Sequence, residues 1–256
     1  MASIFPDLAA AVSALRSDRL IAVSQDYFPG IVLSDDYIAE CLTVAEAAVQ
    51  DALRVYITPR EVIPVTADPS EGAALAAAGN TVLLEPGYDY EPELFQPPSW
   101  GFIVLRQRPV SAVHSIQFVY PGPGNNIFTI PPDWVRLEPK YGQFNLVPMN
   151  SQLTMPVSAF MLQALGGGNR IPFMLQIRYR CGIENCATDY PEIVDLVKRW
   201  ALYSLIEDRF LATSNSVSAD GLSQSISWDG DKQRDKLEAR GERIRQKLHG
   251  VRMGVM

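Results

Sequence analysis

The last third of the chain, from Asp189 to Gly250, changes its hydrophobic pattern twice. Between Ile193 and Leu205, apolar residues recur at the three- and four-residue spacing of a helix with one buried face. Between Leu222 and Trp228, apolar and polar residues alternate with a period of two, which is typical of a half-buried extended segment. A helical pattern returns from about Asp231 to Leu248. The sequence therefore predicts a helix, an extended segment and a second helix.

The two predicted helices differ in kind. Asp189 and Glu192 have the spacing of a capping box, and Pro191 lies in the first turn, where its missing N–H costs little. This first helix is expected to pack in a core. The second helix has an apolar stripe too narrow for a core helix, formed by Leu237, Ile244 and Leu248.

The charge of the chain is unevenly distributed. The formal net charge is −7, yet residues 231–252 carry eight Lys and Arg against four Asp and Glu, a local balance of +4. The remainder of the chain is therefore near −11. A protein that grips nucleic acid normally presents a dominant basic face, so general DNA or RNA binding is disfavoured. The basic segment alone could bind an acidic partner.

The cysteine count and the apolar runs indicate a protein made in a cytoplasm. Three widely spaced cysteines do not make a disulfide framework, and a reducing compartment fits them better. Asp7 lies near the start and no basic residue precedes Arg16, so the first residues do not look like a signal peptide. No apolar run reaches 18 residues, so no transmembrane helix is predicted.

The N-terminal part is predicted to be helical. Residues 7–18 are Ala-rich and could form a short helix. Ser34 is a plausible N-cap for a longer helix running to about Ile57, because Asp35 and Asp36 favour the positive end of the helix dipole and Pro59 stops the pattern.

From Val62 to about Tyr179 the sequence is β-rich. Most of the prolines lie here, and short apolar runs alternate with turn residues. Residues 121–126 are expected to form a hairpin tip, and residues 157–165 fit either a helix or a strand. The predicted strands are Thr81–Glu85, Phe102–Arg106, Val110–Tyr120, Ile127–Ile130, Trp134–Leu137, Gln143–Val147 and Phe173–Tyr179.

These patterns together predict an α+β fold with a helical hub and a large β-rich insert. We expect residues 1–60 to form the N-terminal part of the hub, 61–185 the β-rich insert, 186–213 the C-terminal hub helix, and 214–256 a Ser-rich link followed by a basic docking helix. The predicted hub core consists of Leu42, Val49, Leu53, Ile193, Leu196, Val197, Trp200 and Leu205.

No residue pattern predicts a catalytic, metal or cofactor site. Cys181 and Cys186 lack the second close ligand pair that structural zinc requires. His114 has no Cys or Ser beside it that it could activate, although a pair assembled across the fold stays open. Residues 166–170 read GGGNR, without the Lys-Ser/Thr of a phosphate loop.

Two other groups have simple explanations. The acid pairs Asp35/Asp36 and Glu91/Glu93 fit helix capping and a solvated turn. The tryptophans, Trp100, Trp134, Trp200 and Trp228, could line a sugar site but also suit a core or an interface.

The basic final helix has two interpretations. It could be a solvated helix, or it could dock by its narrow apolar edge while its Lys and Arg meet acidic groups. A helix of about 18 residues is marginal when isolated in water, because nucleation is costly and packing normally supplies the stability. This favours a partner, either in the same chain or in another one.

Five segments carry a resemblance to a known family by their order and spacing. They are residues 34–60, a helix with the exit Thr58-Pro59-Arg60; 105–116, with Leu105-Arg106-Gln107-Arg108-Pro109-Val110; 130–146, with Pro131-Pro132-Asp133-Trp134 and Gly142; 177–193, with Tyr179, Gly182 and Pro191; and 219–226, with Asp220-Gly221 and alternating serines. Together they resemble the head-to-tail adaptor (connector) proteins of tailed bacteriophages, which join the portal ring to the tail.

The resemblance implies a structural protein of the virion neck, made in the bacterial host cytoplasm and without enzymatic activity or a cofactor. It implies a homo-oligomeric ring of twelve copies below the portal, in contact with a tail or stopper protein, through which DNA passes without specific binding and without any membrane contact. The portal-docking residues would be Arg234, Leu237, Arg240, Arg243, Ile244, Lys247 and Leu248.

Two functions of other classes remain as alternatives. A β-rich ligand- or carbohydrate-binding module has the tryptophans as its support, and a hydrolase would need a site assembled across the fold.

Overall fold

The computed structural model describes residues 3–28, 30–95, 99–119, 126–147, 170–210 and 230–249. The fold is α+β, as predicted, and the chain divides into two units. A β-rich unit spans Val55–Glu184, and a helical unit combines Ser3–Arg54 with the segment from Asn185 onward.

The secondary structure runs as follows in chain order. The helices are α1 (Leu8–Arg16), α2 (Arg19–Tyr27), α3 (Asp35–Leu53), α4 (Pro69–Ala77), α5 (Cys186–Asp189), α6 (Pro191–Phe210) and α7 (Gly230–His249). The strands are β1 (Arg60–Pro64), β2 (Thr81–Glu85), β3 (Tyr88–Tyr90), β4 (Ile103–Val104), β5 (Val110–Val119), β6 (Asn126–Ile130), β7 (Val135–Glu138), β8 (Gln143–Leu146) and β9 (Ile171–Cys181).

Helix α3 begins as the sequence predicts and ends earlier. The Ser34 side chain accepts a hydrogen bond from the Tyr37 N–H at 3.2 Å, which satisfies one of the free donors of the first turn. The helix was expected to continue to about Ile57, but it stops at Leu53 because Arg54 adopts a left-handed conformation with φ of 56°. The left-handed C-cap at Arg54 ends the helix five residues before Pro59.

Helix α6 is the centre of the helical unit and contacts α2, α3 and α7. Its buried residues cover most of its circumference, from Ile193 to Phe210. Among the eight predicted hub-core residues, Trp200 is half-buried. The others are buried: Leu42, Val49, Leu53, Ile193, Leu196, Val197 and Leu205.

The predicted capping box of α6 does not form as expected. Asp189 is the last residue of the short helix α5, and its N–H donates to the Asn185 carbonyl at 2.8 Å. Helix α6 starts only at Pro191, so Asp189 lies outside it. The hydrogen-bonded backbone turn of α5 takes the place of the predicted side-chain cap.

The β-rich unit contains a six-stranded sheet and a three-stranded sheet. The first has the order β2-β1-β9-β5-β6, with β3 also paired to β9, and the second has the order β4-β8-β7. Strands β1 and β2 are parallel and are connected through α4, whereas the other pairs are antiparallel. Strand β9 is central and is buried continuously from Met174 to Ile177.

The predicted alternation of β9 fails at its N-terminal end. Phe173 was expected to share a face with Leu175 and Ile177, but it is 57% exposed and has a φ of 56°. A positive φ rotates the side chain away from the regular pleat. Residues Leu175, Ile177 and Tyr179 do enter the core of the unit.

Several predictions fall on residues outside the described ranges. These are most of the hairpin tip at 121–126, the segment 157–165, the glycines of the 166–170 loop, and the alternating segment 222–228. Within the described ranges, no helix is long and apolar enough to cross a membrane.

Candidate docking surface

The basic helix α7 packs against α6 and α3 within its own helical unit. Leu237 and Ile244, two residues of its predicted apolar edge, are 9% and 6% exposed, and Leu248 is half-buried. Gly241 lies between them on the same face, four residues after Leu237 and three before Ile244. This side of α7 therefore forms part of the hydrophobic core.

Ion pairs reinforce this packing along one side of α7. Arg240 Nη1 lies 2.6 Å from Asp195 Oδ2, and Lys247 Nζ lies 2.5 Å from Glu192 Oε1, both acids being on α6. Burial tends to raise the pKa of Asp195, but hydrogen bonds from Arg199 and Arg240 outweigh this and hold that pKa below its ordinary value. All these groups are partly exposed, so each pair contributes little stability alone.

The end of α7 contacts the backbone of α3. The His249 Nε2 atom lies 2.8 Å from the Leu53 carbonyl oxygen. This carbonyl belongs to the last turn of α3, where the helix leaves C=O groups without an intrahelical partner. The C-terminal end of α7 is thus tied to the C-terminal end of α3.

These contacts correct one expectation. The resemblance implied that Leu237, Ile244 and Leu248 dock on the portal, yet Leu237 and Ile244 are buried within the same chain. Gly241, on the same face between them, lies against Leu196 of α6 and extends this buried edge. Portal docking by the seven predicted residues stays a prediction, and only part of that set is solvent-accessible.

Gly241→Ala is expected to stabilise the protein by about 1 kcal/mol. A Cβ at this position would lie 3.8 Å from Leu196 Cδ2, an ordinary van der Waals contact, and alanine removes the entropic cost of a mid-helix glycine. Urea unfolding followed by circular dichroism measures the change. A loss of stability would show that α7 packs more tightly on α6 than this distance indicates.

The three cysteines are divided between the two units, and all three are buried free thiols. Cys181 is buried in the β-rich unit, and Cys41 and Cys186 are buried in the helical unit. Burial raises the pKa of Cys181 and of Cys186 to about 12, so both remain thiols at neutral pH. Among the residues that the structure describes, no cluster of His, Cys, Asp and Glu could hold a metal ion.

His114 contacts a carboxylate in the β-rich unit. Its Nε2 atom lies 2.9 Å from Glu61 Oε2, and Arg180 Nη1 lies 3.6 Å from the other oxygen of the same carboxylate. In the described part of the chain, the ring makes no hydrogen bond to a hydroxyl or a thiol. The arrangement bridges β1, β5 and β9 and presents no nucleophile.

A buried polar cluster surrounds Glu85 and was not foreseen from the sequence. Its Oε2 atom accepts hydrogen bonds from the hydroxyls of Tyr88 at 2.8 Å and Tyr179 at 2.9 Å. Arg106 lies over the Tyr88 ring at 4.1 Å. Burial raises the pKa of both tyrosines, with the Glu85 charge as a further cause, so they act as hydrogen-bond donors. The cluster joins three strands and the segment after β4.

The remaining candidate groups are dispersed. Trp100 is 45% exposed, and Trp134 packs on the core of the β-rich unit. Trp200 belongs to the helical unit, and Trp228 lies outside the described residues. Asp35 pairs with Arg16 at 2.7 Å and Glu91 with Arg170 at 3.5 Å.

Comparison with solved structures gives four matching chains. No family model and no curated protein sequence matches this chain. A chain from the virion of a native gene transfer agent particle is 13% identical, with a TM-score of 0.45, and the match covers 99% of this chain and 93% of that one. A chain from the neck of an empty gene transfer agent particle is 12% identical, with a TM-score of 0.39 and 86% coverage of each. Both TM-scores lie below 0.5, so neither match establishes a function.

Proposed function

We propose that this protein is a structural protein of a virion neck, a head-to-tail adaptor that forms a ring below the portal, connects the DNA-filled capsid to the tail and lines the DNA exit channel. Its role is mechanical, with no catalytic step. The support comes from the segments that resemble the adaptor family and from the contacts among them.

The observation that carries the proposal is that these segments, distant in sequence, meet in the β-rich unit. The Gly182 N–H donates to the Pro109 carbonyl at 2.8 Å, and the Leu105 N–H donates to the Gly142 carbonyl at 2.7 Å. The Thr58 carbonyl lies directly against Gly182. Four of the five resembling segments are therefore joined by direct contacts within this unit.

The charge distribution supports a channel that does not hold DNA. A net charge of −7 repels the phosphate backbone, whereas a protein that binds DNA neutralises phosphates with Lys and Arg. Two basic residues of α7, Arg240 and Lys247, form ion pairs with Asp195 and Glu192 of α6. Passage without retention is what an exit channel requires.

The proposed partners are further copies of this chain, the portal and a tail or stopper protein. Twelve copies would form the ring through heterologous contacts, in which one surface meets a different surface of the neighbour. Because Leu237 and Ile244 are buried in the helical unit, only the solvent-accessible charges of the predicted portal-docking set remain available to a partner, either the portal or a neighbouring copy. These charges are Arg234, Arg240, Arg243 and Lys247.

Co-sedimentation with the purified portal ring, together with light scattering of the protein alone, tests the proposal. We expect this protein to sediment with the portal in a fixed ratio and to form a multimer in low salt. A chain that stays at its monomer mass of 28.3 kDa and remains in the supernatant while the portal sediments would contradict it.

A further inference from the structure

Helix α7 carries its charges in separate stripes. Its buried edge contains Leu237, Gly241 and Ile244. At 100° per residue, the acidic residues fall on one flank and most basic residues on the other. The acidic stripe is Asp231, Asp235, Glu238 and Glu242; the basic stripe is Lys232, Lys236, Arg240, Arg243 and Lys247.

Three residues of the basic stripe, Lys236, Arg240 and Arg243, are not neutralised within their own helix. Every neighbour three or four residues from Lys236, Arg240 or Arg243 is uncharged or cationic. Like charges at this spacing repel each other. The intrahelical pairs that do form, Arg234 with Glu238 and Arg245 with Glu242, use the acidic stripe instead.

Helix α6 neutralises two members of the stripe. Asp195 pairs with Arg240 and Glu192 with Lys247. Lys236 and Arg243 are exposed and form no ion pair with any residue in the described ranges. Lys236 and Arg243 are therefore available to pair with acidic groups from outside the helical unit.

Helix α3 presents a face with the opposite charge and the same spacing. Its exposed stripe follows steps of four, four, three and four residues, as the basic stripe does, and lies opposite its buried side. Val44 in its middle is 59% exposed. The stripe consists of Asp36, Glu40, Val44, Ala47 and Asp51.

The acids of this face also lack partners. Asp36 and Glu40 repel each other at the four-residue spacing, and Asp51 lies in the last turn, where the helix dipole disfavours a negative charge. None of the three forms an ion pair with a described residue. An external cationic helix would remove all of these unfavourable terms.

We propose that the basic stripe of α7 in one copy docks on the acidic face of α3 in a second copy. The α7 helix of the same copy is attached elsewhere, since its own apolar edge is buried and His249 contacts the end of α3 at Leu53. Each copy has one basic stripe and one acidic face, so the contact is heterologous and propagates into a ring or a filament. The inference rests on the proposed function in that it names the surface joining the copies of the ring.

Charge complementarity favours a second copy over the portal as the partner of this stripe. The two faces have equal length and spacing and carry opposite charge. Because the contact is largely ionic and exposed, it weakens with rising salt. Portal docking by the same stripe is the competing outcome of the experiment below.

Paired charge reversals in the full-length protein test the contact by light scattering in low salt. The stripe variant is Lys236→Glu with Arg243→Glu, and the face variant is Glu40→Lys with Asp51→Lys. We expect each to run at the monomer mass of 28.3 kDa, while their equimolar mixture and the fourfold variant recover the multimer of the parent. Arg19→Glu with Lys140→Glu is the matched control for the stripe variant, because it makes the same net charge change at exposed sites outside both faces.

Three results would overturn the inference: a parent that stays monomeric, single-face variants that assemble like the parent, or variants that fold normally and do not recover on mixing. Circular dichroism verifies folding, since all four sites are exposed. Portal co-sedimentation of the same samples separates the two proposals. A multimer that does not co-sediment with the portal would support the contact between copies and contradict the adaptor function. A stripe variant that still assembles but no longer co-sediments with the portal would contradict the contact between copies and support portal docking by α7.

Discussion

Leu196→Asp is expected to unfold the helical unit. Leu196, in the second turn of α6, is 1% exposed and faces Gly241 of α7, so an aspartate there would be a buried charge without a partner. Substitutions of this kind cost more than about 4 kcal/mol, a large fraction of the stability of a typical domain. Urea unfolding followed by circular dichroism should show a lost or much earlier transition of the helical signal.

Trp200→Asp is the control for this prediction. Trp200 lies on the same helix but is only half-buried, so its replacement should leave the protein folded with a loss of about 1 to 2 kcal/mol. Equal midpoints for Leu196→Asp and the parent would show that α7 and α6 do not bury this face.

Gly182→Ala is expected to destabilise the β-rich unit by about 3 to 5 kcal/mol. Gly182 follows β9 with a φ of +99°, and a Cβ there would lie 2.3 Å from the Thr58 carbonyl oxygen. The obstacle is backbone, which a rotamer change cannot relieve. The turn must therefore move, and with it the hydrogen bond from the Gly182 N–H to Pro109.

Gly79→Ala separates this clash from the cost of the backbone conformation. Gly79 has a similar φ of +86° in the same unit, and a Cβ there would meet nothing within 4 Å. We expect a loss of only about 1 kcal/mol, the usual cost of a left-handed alanine. Thermal unfolding of both variants measures their losses of stability. Equal losses would show that the Thr58 backbone can move to relieve the clash.

The elements with strong periodicity could be predicted from the sequence. Helix α3 with its Ser34 cap, helix α6 and the strands β2, β5 and β9 all follow from apolar spacing, because each has a face that packs against a core. Boundaries set by a single backbone conformation could not be predicted. The left-handed Arg54 ends α3 before the apolar pattern does.

Helix α4 and strand β1 were missed for a physical reason. None of the residues of α4 is buried, so its alanine-rich sequence carries no amphipathic signal. Strand β1 is short and ends at Pro64, and proline argues against a strand flanked on both sides. The parallel pairing of β1 with β2 was therefore invisible in the sequence.

The occupant of the α7 apolar edge could not be predicted either. The spacing of Leu237, Ile244 and Leu248 indicated a docking edge but gave no information on where its partner lies. The one further signal on that edge is Gly241, since a glycine inside a helix often has a packing reason. In the structure Gly241 lies against Leu196 of the same chain.

Electron microscopy of the protein mixed with its portal tests the adaptor function most directly. The account predicts a second ring stacked coaxially on the portal, with one copy of this chain per portal subunit around a central channel. Portal rings that remain bare while this chain stays dispersed as single subunits, at equal concentrations and in low salt, would contradict it.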